Sequence, residues 1–207
     1  LWTAHNLCRA CFIATEGPVV LWDFRRCEFL SEHLPLITER RDGAGFFYFV
    51  SGEHADGDAK RFCAEIADLM RSHGGGNKRL AIDKIEMPGF VELTGHGLEL
   101  HNGQRITEIA RLYKDANEIN AVRCAVAACE AAIEEMRAAF EPGITEAELW
   151  AHLHFGNIKR GGEWIETRIL ASGPRTNPWF QECGPRVIQN GDLMGFDTDM
   201  VGVYAYC

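Results

Sequence analysis

The spacing of apolar residues changes partway along the chain, and that change divides it. Up to about residue 108 short apolar runs alternate with one strongly helical stretch. Residues 8–14 and 18–23 predict a β-hairpin, in which Cys11, Phe12 and Ile13 answer Val19, Val20, Leu21 and Trp22 across the turn at Glu16-Gly17-Pro18. A short helix is expected near Glu28 to His33, and Phe46-Phe47-Tyr48-Phe49-Val50 reads as a strand. Residues 58–73 have helical period, with Phe62, Ile66, Leu69 and Met70 on one stripe and Asp58 as the expected cap. Gly74-Gly75-Gly76-Asn77 closes that helix; no Gly-Lys-Ser/Thr follows, so it is a connector and not a phosphate loop. A strand at 80–83, a helix at 87–94 and a strand at 98–100 complete a small α/β domain, residues 1–108.

Residues 109–207 follow another rhythm. Asp115 with Glu118 forms a capping-box-like start, and Ile119, Val122, Val126, Cys129, Ile133, Met136 and Phe140 keep a helical period up to Glu141-Pro142-Gly143. Thr145 with Glu148 opens a second helix to about Lys159, with Leu149, Trp150, Leu153, Phe155 and Ile158 expected to pack inward. His152 and His154 lie about 200° apart around that helix and cannot share a ligand. A strand is expected at 166–171, followed by a polar turn from Ser172 to Pro178. Arg175, Asn177, Trp179, Phe180 and Arg186 then make a segment both polar and aromatic, the profile of a binding loop or of a loop folded back on the core.

The last stretch, GDLMGFDTDMVGVYAYC, carries the chemistry. Leu193, Met194 and Phe196 predict a short buried strand, and Asp197 and Asp199, two apart, would share one of its faces. Two carboxylates on one face of an apolar strand repel unless a cation lies between them, so they are candidate metal ligands; turn and cap roles are the plainer alternative. Val203 to Tyr206 reads as a return strand.

Composition narrows the partners. With 207 residues, 46% of them apolar, a sizeable core is available, and a formal charge of −9 offers no basic face for nucleic acid. No apolar run is long enough to span a bilayer. Of the eight cysteines, Cys8 and Cys11 form C-x-x-C but point to opposite faces of a strand, and no second pair completes a zinc site. Buried reduced thiols, and hence a cytoplasmic protein, are expected. A first residue Leu1 and a last residue Cys207 inside an expected strand read as a fragment of a longer chain.

The helix from Asp115, Pro142-Gly143-Ile144-Thr145-Glu146-Ala147-Glu148-Leu149, the strand into Ala171-Ser172-Gly173, and Gly191-Asp192-Leu193 leading to Phe196-Asp197 together resemble the pita-bread metallohydrolases, which include aminopeptidases, prolidases and creatinase. The resemblance implies an α/β (α+β) chain: an incomplete creatinase-type N-terminal domain, then the first half of a pita-bread domain. It makes Asp197 the first ligand of a metal pair and places further ligands, and the catalytic base, beyond Cys207. Two features depart from the peptidases of the family. Pro178 is followed by Trp179 where they carry a histidine, and Asp199 adds an acidic group beside the first ligand. Residues 164–168, 172–186 and 196–199 resemble instead the dimethylsulfoniopropionate (DMSP) lyase branch. That implies a divalent metal, iron in the first place with manganese, cobalt or zinc also suited, a small sulfonium substrate and a homodimer. Trp179, Phe180 and Tyr204 are then the candidate substrate-binding residues, because aromatic faces attract a diffuse cation. A metallopeptidase and a non-catalytic binding module are the competing readings.

Overall fold

A computed structural model describes residues 9–23, 27–43, 45–163, 165, 167–199 and 207. It divides into two compact units, the first running to Tyr113 and the second beginning at Lys114, five residues beyond the boundary expected from the sequence. Among the described residues no helix is long and apolar enough to cross a membrane.

In the first unit β1 (Ala10–Ile13) and β2 (Val19–Asp23) form the expected hairpin, with Ala10 opposite Trp22 and Ile13 opposite Val19. β2 is the central strand: Val20, Leu21 and Trp22 are completely buried. On its other side β3 (Glu39–Asp42) runs parallel to it, Val20 opposite Glu39. Glu39-Arg40-Arg41-Asp42 contains no apolar residue, so no hydrophobic pattern marks it as a strand. It is held through its backbone and its guanidinium groups. Arg40 donates to the Ser31 hydroxyl at 3.1 Å and to the Ser31 carbonyl at 2.6 Å, and Arg41 lies 5.5 Å from the centre of the Trp22 ring.

The aromatic run 46–50 is not a strand. Phe46 is buried with its ring 5.6 Å from Phe62, and the chain then turns into a short helix α1 (Tyr48–Ser51) that leaves Tyr48 and Phe49 exposed. A short apolar run does not by itself distinguish strand from helix. Here the Ser51 hydroxyl donates to the Gly45 carbonyl and closes the turn. α2 (Ala55–His73) buries Phe62, Cys63, Ile66, Leu69 and Met70 against β2, as its period predicts. Its N-cap is His54, without a side-chain cap bond; Asp58 sits inside the first turn and pairs with Arg61 at 3.7 Å. β4 (Arg79–Ile82), α3 (Met87–Gly95) and β5 (Glu99–Asn102) make a parallel strand–helix–strand unit, and α4 (Gln104–Leu112), which the sequence reading missed, follows with no buried residue.

The second unit is built on α5 (Ala116–Ala139) and α6 (Glu146–Ile158). Both capping boxes form: the Asp115 carboxylate accepts from the Asn117 and Glu118 backbone N–H groups, and the Thr145 hydroxyl accepts from that of Glu148. Leu149, Trp150 and Leu153 are buried as expected, but Phe155 and Ile158 are exposed, as are Ile119 and Val126 of α5. The helices meet instead through small residues, since a Cβ placed on Gly156 would lie 2.8 Å from Ala132 Cα. The antiparallel pair β6 (Leu170–Ser172) and β7 (Met194–Phe196) completes this core, with Ala171 opposite Gly195. Leu193, expected to be buried, is largely exposed and lies just outside β7.

The seven cysteines among the described residues are all free thiols. Among these seven, Cys63 and Cys183 are buried and Cys11 and Cys124 are exposed.

Two measurements probe the α5–α6 contact. Gly156→Ala adds a methyl where none fits, at a cost of about 1–3 kcal/mol. Roughly 1 kcal/mol of gained helix propensity offsets only the lower end of that cost, and the backbone atom met at Ala132 Cα puts this site above it. The urea midpoint should therefore fall; a rise would show that the helices part without penalty. The second concerns Glu135, which accepts from Arg160 and from Lys159 at 2.7 Å. Those bonds hold its carboxyl at about 2, below the roughly 4.3 of an unfolded glutamate. A depressed folded-state value means stability present above about pH 4.3 and lost as pH falls toward 2. Glu135→Gln should thus lower the urea midpoint at pH 7, and the difference should shrink steadily between about pH 4 and pH 2.

Candidate active site

The end of the chain is organised from the first turn of α6. Glu146 is the first helical residue, directly after the Thr145 cap, and is completely buried. Segment 184–188 runs along the start of this helix. The Glu146 N–H donates to the Arg186 carbonyl at 3.0 Å, the Ala147 N–H to Gly184 at 3.1 Å, and the Ile188 N–H to Ile144 at 2.9 Å. The first backbone donors of the helix, which have no partner within it, are satisfied in this way.

Between β6 and that segment the chain makes the loop that carries the aromatic residues. It starts as a 3-10 turn, Gly173–Thr176, passes through a cis Asn177–Pro178 peptide, and returns where Ile169 bridges Glu182 and the Cys183 N–H reaches the Arg168 carbonyl at 2.9 Å. The Glu146 carboxylate fastens both ends. One oxygen accepts from the Ser172 N–H and the Ser172 hydroxyl, each at 2.8 Å; the other accepts from the Gly184 N–H at 3.2 Å and from Arg175.

The Ser172 hydroxyl in turn accepts from Arg186, which also pairs with Asp192 at 2.6 Å. Asp192 accepts the Gln189 N–H at 2.8 Å as well. Its carboxyl is held below the usual range, first by Arg186 and then by that backbone donor. Gly173 has φ +53°, and a Cβ there would collide with the Asp192 carboxylate, so a glycine is needed on both counts.

Trp179 and Phe180 occupy the tip. Phe180 holds φ +81°, a left-handed backbone rare for an aromatic residue, and its ring is exposed. Trp179 is half-exposed. The indole approaches β7 at Gly195, where a Cβ would come within 2.8 Å of it. The ring is therefore neither free in solvent nor a core residue.

Met194 and Phe196 of β7 pack on the core, so strand alternation puts Gly195 and Asp197 on the other face. The Asp197 N–H extends the ladder by one bond, 2.9 Å to the Ile169 carbonyl. Its carboxylate is exposed and takes no hydrogen bond or ion pair among the described residues. Asp199 lies past the paired residues and is half-buried. It is near the Cys129 thiol of α5, whose pKa is pushed up to about 11 by burial first, then by Cys207 and Asp199. Tyr204 lies outside the described residues. His152 is exposed, and His154 stacks edge-on near Trp150 at 5.7 Å, its pKa lowered by burial and then by the Arg168 charge. No group of three or more potential metal-binding side chains occurs among the described residues. Asp197 and Asp199 remain the candidate donors expected from the sequence.

An antiparallel strand ending in an open aspartate, preceded by a helix pair and a fastened loop, can be compared with known proteins. Residues 120–207 match the sequence model of metallopeptidase family M24. The second unit carries the M24 pattern. Across the whole chain the sequence is 51% identical over 212 residues to dimethylsulfoniopropionate lyase DddP of Roseovarius nubinhibens, and 48% identical to the protein of the same name from Roseobacter denitrificans. The chain spans about half the length of these relatives, 48% and 47%. A solved Xaa-Pro dipeptidase from Bacillus anthracis has the same fold over 95% of this chain and 51% of its own, with TM-score 0.71 and 21% identity. The fold is thus the mixed α/β one of the pita-bread M24 proteins.

The open Asp197 and the half-buried Asp199 can be tested as ligands in the full-length protein. Purified Asp197→Ala and Asp199→Ala variants should each contain less bound metal than the unchanged protein by elemental analysis. Full metal content in both would remove these residues from the site.

Proposed function

We propose that this chain is part of a metal-dependent lyase that splits DMSP into dimethyl sulfide and acrylate. The observation that carries the reading is the placement of Trp179. Its indole lies on Gly195, two residues before Asp197 and on the same face of the strand, with about half of its surface open. Identity of about half over the entire chain to proteins named as DMSP lyases supports it.

The side chains present suit the substrate at both ends. A sulfonium is a diffuse cation, attracted to an aromatic face by about 0.5–2 kcal/mol per well-placed ring. Trp179 offers such a face over Gly195, on the side of the strand that leads to Asp197, and the exposed Phe180 a second. Asp197 and Asp199 are hard oxygen donors that fit iron, manganese, cobalt or zinc as part of a larger ligand set, with iron our choice. A divalent ion held there supplies Lewis acidity to the substrate carboxylate and makes the neighbouring C–H easier to ionise. The elimination then needs a base to take that proton; its electron pair becomes the C=C bond of acrylate as the C–S bond breaks and dimethyl sulfide departs. An indole N–H cannot serve as that base, nor as a proton donor to a leaving amine. Trp179 therefore suits a cationic leaving group better than peptide cleavage. A cytoplasmic homodimer is part of the same proposal.

The test is a Trp179 series in the full-length enzyme, with release of dimethyl sulfide followed by gas chromatography. Trp179→Phe should retain most activity, and Trp179→His should not improve it. Trp179→Ala should raise KM for DMSP about two- to thirtyfold, the range of one cation–aromatic contact. An unchanged enzyme that hydrolyses Xaa-Pro dipeptides and releases no dimethyl sulfide from DMSP would make it a peptidase instead.

A further inference from the structure

We infer that Glu146 is a positioning residue for the aromatic loop: its buried carboxylate sets where Trp179 and Phe180 stand. Four donors converge on it, and all of them belong to the loop or its ends. Ser172 is where the loop leaves β6, and Gly184 is where it returns to α6. Arg175, inside the loop, reaches Glu146 with one nitrogen and the Glu182 carbonyl with the other at 2.7 Å. One carboxylate thereby joins the outgoing strand, the returning strand and the turn between them.

Helix capping does not account for this. The Thr145–Glu148 box already satisfies the start of α6, and the Glu146 and Ala147 N–H groups have carbonyl partners. A carboxylate taken fully out of water is costly unless its oxygens are filled. A buried glutamate at this place is therefore explained by what it holds. The tip carries one side-chain bond of its own, from Gln181 Nε2 to the Pro178 carbonyl at 2.9 Å, while Phe180 is exposed in a left-handed backbone and Trp179 is half-exposed beside Gly195, so the fastening of the loop's ends sets where the tip stands. A backbone in a sparsely populated region persists where its surroundings over-determine it.

The part of this inference that concerns substrate rests on the lyase reading; the part that concerns loop order does not. The experiment measures both in the full-length enzyme with its metal. Glu146→Gln keeps the shape of the side chain but sets an NH2 against Arg175 and the Gly184 N–H. Amide hydrogen exchange in 173–182 should speed up about tenfold or more, while exchange in 116–139 stays as it was. KM for DMSP should rise within the range given for Trp179→Ala, with metal content unchanged. The double variant with Trp179→Ala should raise KM no further than Trp179→Ala alone, because Glu146 acts through that ring. Should Glu146→Gln fail to fold, Arg175→Lys takes its place: it keeps the charge but gives up the two-pronged reach to Glu146 and Glu182. The same local exchange pattern is expected from it, and a smaller rise in KM. Unchanged exchange in 173–182, or an equal increase throughout α5 and α6, would overturn the positioning role. Additive effects of Glu146→Gln and Trp179→Ala on KM would do the same. Absence of dimethyl sulfide release by the unchanged enzyme would instead strike the lyase reading and leave the exchange result to stand by itself.

Discussion

A glutamate with no exposed surface, in the first turn of a helix, constrains the whole candidate site. Removing a partner from a buried carboxylate is costly, because the charge stays out of water with an oxygen unfilled, although the partly exposed Arg175 softens that cost here. Glu146 therefore fixes the positions of its partners as firmly as they satisfy it. Ser172 cannot shift along β6 without losing two bonds to the same oxygen, and Arg175 cannot swing out without releasing both Glu146 and the Glu182 carbonyl. A second layer starts from the Ser172 hydroxyl, through Arg186 to Asp192, and ties in the turn before β7. β6, the loop and β7 are thus connected through side chains in addition to their ladder.

That network decides which face of β7 meets the aromatic loop. Pairing of Ala171 with Gly195 fixes the register, and a slip by one residue would exchange Met194 and Phe196 with Gly195 and Asp197. The core would then lose two apolar side chains and gain a carboxylate. Gly195 also leaves the room that Trp179 fills. The strand's alternation and the loop's fastening converge on one arrangement, in which an open carboxylate follows a seated indole on the same face.

Much of this was legible from residue types, and the rest was hidden for identifiable reasons. Periodicity located α2, α5 and α6, and both capping boxes formed, because these signals are local. β3 could not be seen, since four charged residues become a strand only when β2 is beside them. The run at 46–50 misled because its aromatic content favours a strand while only Phe46 has a place in the core. In the site, Asp197 and the loop residues stood out by spacing and composition. Glu146 did not. In the sequence it is one of two acids at the start of a helix, next to Glu148, and both fit the ordinary preference for negative charge there. Only the three-dimensional path of 172–186 shows that one of them caps while the other is buried under a loop.

The expectation that peptidases of the resembled family carry a histidine where this chain has Trp179 acquires a physical meaning in that setting. An imidazole at the loop tip can carry a proton to and from a reacting amide near neutral pH. An indole cannot, and a half-open indole on a glycine serves only as a surface. Such a surface has value for a substrate that carries its positive charge on a large, poorly hydrated atom, because attraction to the ring face does not require the ligand to find a counter-charge. It also needs to be rigid, since a ring free to rotate away loses that attraction to conformational entropy. The fastening by Glu146, the left-handed turn at Phe180 and the seat on Gly195 each remove part of that freedom. At this position the loop offers no proton carrier but an aromatic face that is held still. Those two features together suit elimination from a cation better than hydrolysis of an amide.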